Sequence, residues 1–279
     1  MDGYLKNIVE RLAVPGLRNA SGSRWVETME TIQQMIQSTG FDPEIQEWTG
    51  EDGMVYRNFI VRIAGARSEN IILGAHYDTF EETPGADDNA SAIAVLLGFL
   101  NDHKGEEFPY NLEVIFYACE EPPFFGTNGM GSFVHAASCD PEKIRFMVCL
   151  EMVGYFSDRE GSQDFPLGFL RWVYGNTGDF LMGVGNWKSM HRAGPLLQAL
   201  QAHRPKFYRK FWIPFAFSGM DWSDHRSYWS RGIPAIMITN TAMFRNANYH
   251  GADDTAASLN YGHMANLTAD LKTALLGLK

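Results

Sequence analysis

The chain has 279 residues, an apolar share of 45% and a formal net charge of −10. That length and composition suit a globular protein with a sizeable core. The acidic balance argues against nucleic acid and anionic membranes as partners.

The three cysteines, Cys119, Cys139 and Cys149, fit neither a metal nor a disulfide spacing, and Cys119 and Cys149 sit in apolar runs where buried thiols are expected. The first residues, MDGYLKNIVERLAVPG, carry charges within their apolar pattern and do not read as a signal peptide. No apolar run is long enough to cross a bilayer. The chain as it stands is therefore expected in the cytoplasm, or outside the cell if a leader has been removed.

In chain order, residues 4–14 read as a short helix stopped near Pro15-Gly16. Residues 24–38 carry Val26, Met29, Ile32 and Met35 at helical spacing, and Gly40 ends that helix. Glu44 to Thr49 and Tyr56 to Ile63 alternate as two strands around the turn Gly50-Glu51-Asp52-Gly53. Ile71 to Ala75 reads as a buried strand and residues 90–102 as a helix. Leu112 to Cys119 is a second buried strand, and Pro122-Pro123 forbids helix directly after it. Helix follows over 129–137, and a third buried strand over Phe146 to Leu150. Residues 155–168 read as a loop, and Tyr174 to Val184 is too broken by glycine to assign. Gly194 to Ala202 and His225 to Arg231 read as helices, with an irregular aromatic stretch from Trp212 to Ser223 between them. Ile233 to Thr239 is a fourth buried strand, and 257–276 a closing helix. Strands that read as buried on both faces, alternating with helices, predict one α/β domain over 1–279 with a mixed, mostly parallel sheet flanked by helices.

Acidic residues and histidines recur at the ends of these strands: His76, Asp88, Glu120, Glu121, Glu151 and, after the fourth strand, His250. Singly each suits a solvated or satisfied polar residue. Carboxylates converging on one rim would resist ionisation unless a cation neutralised them. Two imidazoles with four carboxylates suit zinc or a similar first-row metal, and the lack of thiolates favours a catalytic over a structural site. The number of groups suits two ions sharing one carboxylate.

Five stretches carry a resemblance: GAHYDT (74–79), PGADDNASA (84–92), ACEE (118–121), SDHRSYWSRGIPA (223–235) and YHGADDT (249–255). In this order they resemble the M28 family of zinc-dependent exopeptidases, over residues 57–256. The resemblance implies His76 as the histidine of a first zinc, Asp88 as the carboxylate bridging two zincs, and Glu121 and His250 as the remaining ligands of the second. Asp87 is the competing carboxylate beside Asp88. It implies Glu120 as general base and Asp78 as the carboxylate that orients His76 through its other ring nitrogen. Tyr249 matches a tyrosine that in some relatives donates to the oxyanion. The last ligand of the first zinc is usually Asp in the family; Glu151 stands there, as Glu does in the related M20 metallopeptidases. A cis peptide between Asp88 and Asn89 is also implied.

Asp224 reads either as positioning a substrate-contacting loop or as a plain helix cap. The aromatic and Met cluster from Phe211 to Trp222 reads either as a specificity pocket or as core. Arg192 and Arg245 are cations available to a substrate carboxylate. The expected activity is a two-zinc aminopeptidase acting on a peptide or aminoacyl substrate with a free N-terminus. A single-zinc glutaminyl cyclase is the competing enzyme, with a dipeptide-cleaving carboxypeptidase behind it; a non-catalytic binding module on the same fold is the competing class.

Overall fold

A computed structural model describes residues 1–213 and 219–279. Its elements are α1 (Asp2–Leu12), α2 (Trp25–Ser38), β1 (Glu44–Thr49), β2 (Val55–Ile63), β3 (Gly65–His76), α3 (Ala92–Asp102), β4 (Phe108–Tyr117), α4 (Gly131–Ser138), β5 (Ile144–Glu151), β6 (Ser157–Glu160), α5 (Leu170–Tyr174), β7 (Thr177–Gly178), β8 (Leu181–Asn186), α6 (Trp187–His203), β9 (Tyr208–Ile213), α7 (His225–Ser230), β10 (Ala235–Thr239) and α8 (Tyr261–Leu276).

Eight strands form one sheet in the order β1-β2-β4-β3-β5-β10-β8-β9, and β6 pairs with β7 separately. The central strands β4, β3, β5 and β10 run parallel. β1, β2 and β8 add antiparallel pairings. Alternate residues of β3 feed two cores: Ile71, Leu73 and Ala75 pack on one face, and Ile72 packs on the other. A strand buried on both faces can carry no polar alternation, which is why the central strands read as continuous apolar runs. Helices α1, α2, α3, α6 and α8 cover the first face, and residues of α4 and α7 lie in the second core.

From β3 the chain crosses to β4 on one side and later returns to β5 on the other. Open α/β sheets bind ligands in the crevice at such a switch point, beyond the carboxyl ends of the strands. Here that crevice lies past His76 and Glu151.

The structure lengthens several expected elements. β3 starts at Gly65, ahead of Ile71, through a register shift between Arg67 and Asn70. α6 starts at Trp187 because Asn186 caps it, accepting from the Ser189 amide, and it runs through Pro195. Gly194-Pro195 concealed that first half. The expected 155–168 loop contains β6. The unassigned 174–184 stretch resolves into the end of α5, β7 and most of β8. α8 begins at Tyr261, later than expected, where Asn260 accepts from the His263 amide. Of the irregular 212–223 stretch, residues 214–218 lie outside the described residues; Trp212 ends within β9. Among the described residues no helix is long and apolar enough to cross a membrane.

Candidate metal centre

The crevice gathers two sets of side chains with ligand atoms close enough to share an ion: His76, Asp88 and Glu151, and Asp88, Glu121 and His250. Asp88 belongs to both. Its Oδ1 stands 3.4 Å from His76 Nε2, and its Oδ2 3.3 Å from His250 Nε2. His76 Nε2 is also 3.4 Å from Glu151 Oε2 and 3.9 Å from Glu120 Oε2. His250 Nε2 is 3.3 Å from Glu121 Oε1. Both nitrogens of His76, Asp88 Oδ1 and His250 Nε2 are buried and without a hydrogen-bond partner among the described residues. Buried polar atoms are normally paired. Lone pairs of imidazole and carboxylate, aimed at one another's neighbourhood and otherwise unused, fit a divalent cation of the zinc type.

The electrostatics point the same way. Burial, then the charge of Asp88, pushes the Glu121 carboxyl up to about 7. Burial raises Glu120 well above the usual carboxylate range; His76 opposes this, while Glu121 and Glu151 add to it. Burial also raises Glu151, against the pull of His76. Burial works against the charge on Asp88, but its two histidines outweigh it and hold the carboxyl well below the usual range. Burial opposes a charge on His250, and Asp88 and Glu121 push it up to about 10 nonetheless.

The backbone around these groups is tied down by carboxylates that face away from the cluster. Asp78 accepts from the amides of Glu120 (3.0 Å) and Glu121 (2.9 Å), and its Oδ1 lies 3.5 Å from His76 Nδ1. It thus joins the exits of β3 and β4. Asp254 accepts from the amides of Asp87 and Asp88. Asn89 bridges to the end of β5, donating to the Leu150 carbonyl and accepting from the Met152 amide. The Asp88–Asn89 peptide is cis. Ser223 Oγ donates to Glu151 Oε2 at 2.5 Å.

Asp87 and Asp88 are adjacent in sequence but not in role. Asp87 Oδ1 accepts from the amides of Gly154 and Tyr155, and Oδ2 from the side-chain amides of Asn240 and Asn246. Its lone pairs are spent, while those of Asp88 face the histidines. Removing Asp87 would orphan four donors around a buried site, at about 1–3 kcal/mol each if none found a new partner. Asp87→Ala is therefore expected to destabilise the fold by ~3 kcal/mol or more. Denaturant unfolding of metal-free protein checks this, and a change below ~1 kcal/mol would contradict the bracing role.

His250 has a positive φ of 55° and is held between two rings. Phe80 stacks on one side with centroids 4.1 Å apart, and Tyr249 packs at 3.8 Å. Beside the cluster opens a cavity of about 390 Å³. Its walls include Phe165, Met182, Phe211, Met220, Met237 and Phe244, and the clustered Asp88, Glu121, Glu151 and His250 line it too, with Glu120 and Tyr249.

Other expectations fare differently. Asp224 precedes α7 but makes no side-chain capping bond, so the cap reading fails. It is buried, burial pushes it up to about 7, and it does not line the cavity. Phe211, Met220 and Trp222 do line the cavity, in favour of the pocket reading over simple core, and Phe215 and Phe217 lie outside the described residues. Arg245 is buried, bonded to Gln163 and the Phe180 carbonyl, and Arg192 pairs with Glu69. Neither lines the cavity. Motif reading passed over Asp254, although it lies within YHGADDT, and Phe80, Asn240, Asn246 and Arg18, which carry no local signal.

The sequence model of peptidase family M28 matches residues 58–274. The chain belongs to peptidase family M28. An Escherichia coli K12 protein described as uncharacterized protein YfbL is 38% identical over 99% of this chain and 86% of its own length. A probable leucine aminopeptidase of Trichophyton verrucosum is 28% identical over 86% of this chain; the match spans 60% of that relative's length. Among solved structures, an aminopeptidase from Aneurinibacillus sp. strain AM-1 superposes with TM-score 0.73 at 15% identity, covering 98% of this chain and 93% of that one. The glutaminyl cyclase of Tannerella forsythia superposes with TM-score 0.69 at 15% identity, covering 100% and 99%. At such identity the structural likeness is one of fold. As a member of peptidase family M28 this α/β chain is a peptidase-type hydrolase, and its clustered imidazole and carboxylate groups suit zinc.

Proposed function

We propose that this M28 protein is a co-catalytic zinc aminopeptidase that removes large apolar residues from the N-termini of peptides. The observation that carries the reading is Asp88, whose two oxygens face two separate histidine–carboxylate groups. His76, Asp88 and Glu151 would hold one zinc, and Asp88, Glu121 and His250 the other. When bound, the ions supply Lewis acidity, lowering the pKa of water and polarising the scissile carbonyl.

The protein's own groups do the rest. Glu120 is buried at the cavity wall beside the first group. Its raised pKa is the direction that makes a carboxylate a useful proton acceptor near neutrality. It takes a proton from the attacking water and passes it to the leaving amine. Asp78 fixes the backbone of Glu120 and orients His76. Tyr249 stands at the cavity wall, where its hydroxyl would donate to the oxyanion as it develops. The substrate's free α-amine finds its counter-charge in Glu120 and Glu151, and its side chain enters the aromatic and Met-lined cavity. The name of the fungal relatives, probable leucine aminopeptidase, agrees with an apolar side chain there.

The test is bound metal measured together with turnover on aminoacyl amides, the same amides with acylated amines, and peptides beginning with Gln. Two zincs per chain and hydrolysis confined to free amines with bulky apolar side chains support the proposal. One zinc with ring closure on N-terminal Gln would replace it with the cyclase reading, which the likeness to the Tannerella enzyme keeps in view. Metal without turnover of any kind would favour a binding module.

A further inference from the structure

The residues that build the centre all fall within the family match at 58–274. One side chain outside that span reaches beneath them. Arg18, in the segment between α1 and α2, is 0% exposed. Among the described residues its guanidinium meets no carboxylate. Instead all of its contacts are backbone carbonyls drawn from three places. Nε donates to Leu12 at the end of α1 (3.1 Å). Nη1 donates to Tyr77 (3.0 Å) and Asp78 (3.5 Å), at the exit of β3. Nη2 donates to Pro84 (3.1 Å) and to Gly85, just ahead of Asp87-Asp88. The backbone adds a return bond, from the Thr79 amide to the Arg18 carbonyl at 3.0 Å.

Residues 77–85 connect His76 to the stretch that carries Asp88, so Arg18 grips both ends of the loop that sets the distance between those two groups. The fork geometry matters. Only a guanidinium offers five N–H groups in a fixed plane, and a lysine has one nitrogen to share among the same carbonyls. Gly85 has a φ of +60°, and a Cβ there would fall 2.3 Å from the Asp88 carbonyl oxygen and from Thr79 Cγ2, and 2.7 Å from Arg18 Nη2, so the loop packs tightly at the point where the arginine holds it. Burial lowers Arg18 only to about 10, since Asp88, Asp254, Asp78 and Glu121 act against it, so the charge persists at neutral pH beneath an acid-rich cluster.

We propose that Arg18 is a positioning residue, a clamp that holds the 77–85 loop so that His76 and Asp88 stand at metal-binding separation. The assignment rests on the zinc reading of the site. Groups that orient metal ligands typically contribute 10–100-fold in affinity. Because Asp88 serves both groups, loss of the clamp reaches both ions.

The experiment is zinc affinity of folded protein by chelator competition, with stoichiometry, for wild type, Arg18→Met and Arg18→Lys. Arg18→Met is expected to bind both ions about 10–100-fold more weakly, and Arg18→Lys to recover part of the loss. Ile32→Ala, a core change far in sequence from the loop, controls for lost stability and is expected to keep wild-type affinity. Should Arg18→Met fail to fold, Arg18→Lys carries the comparison, with an affinity expected below that of the wild type. Wild-type affinity in the folded variants would overturn the clamp while leaving the zinc reading intact. Wild-type protein that takes up no zinc would overturn the zinc reading, and the clamp with it.

Discussion

Glu120→Gln is expected to keep both metals and lose about 10²–10⁴-fold in turnover, the usual worth of a positioned general base. The substitution is nearly isosteric, and Glu120, whose Oε2 stands 3.9 Å from His76 Nε2, belongs to neither group of clustered ligand atoms. The amide of residue 120 stays bonded to Asp78, because that bond uses the backbone. Only the capacity to accept and return a proton is removed. Steady-state kinetics beside metal analysis makes the separation: lost turnover with bound zinc unchanged supports the base, and a variant of near-normal rate removes Glu120 from that role. Loss of metal alongside turnover would make it a ligand instead.

The second large effect belongs to Asp88. Asp88→Ala is expected to lose both ions, whereas Glu121→Ala loses only the one shared with His250 and Glu151→Ala only the one shared with His76. The asymmetry follows from geometry, since each oxygen of Asp88 faces a different histidine while each glutamate faces one. Turnover in Asp88→Ala should fall at least as far as in Glu120→Gln. Zinc content per chain across the three variants decides the matter. An Asp88→Ala protein that retains one tightly held ion would break the shared-carboxylate arrangement.

Much of this candidate site could be read from the chain because the residues that cluster there stand where strands end. Apolar runs such as Ile71 to Ala75 and Phe146 to Leu150 stop at a titratable residue, His76 and Glu151, and that abrupt change marks the rim of a buried sheet. The choice between Asp87 and Asp88 needed coordinates, because it turns on where four donors from residues 154, 155, 240 and 246 arrive. Arg18 was illegible for a different reason. Its partners are carbonyl oxygens, which every residue has, so no pattern of side chains announces them. Phe80 lies in a polar turn, and nothing local says that it will meet a histidine 170 positions on. Short elements such as β6 and β7 escaped because their pairing joins residues separated by a loop and involves little apolar surface.

The stack of Phe80, His250 and Tyr249 bears on how an ion is captured. An imidazole on an open loop samples several rotamers, and each must be given up when it binds. Here the ring is walled on both faces, so its orientational freedom is surrendered during folding rather than at the moment of capture. If His250 serves the second zinc as proposed, that site would be a mould whose last ligand in the chain, remote in sequence from the others, has its ring already held before any ion comes.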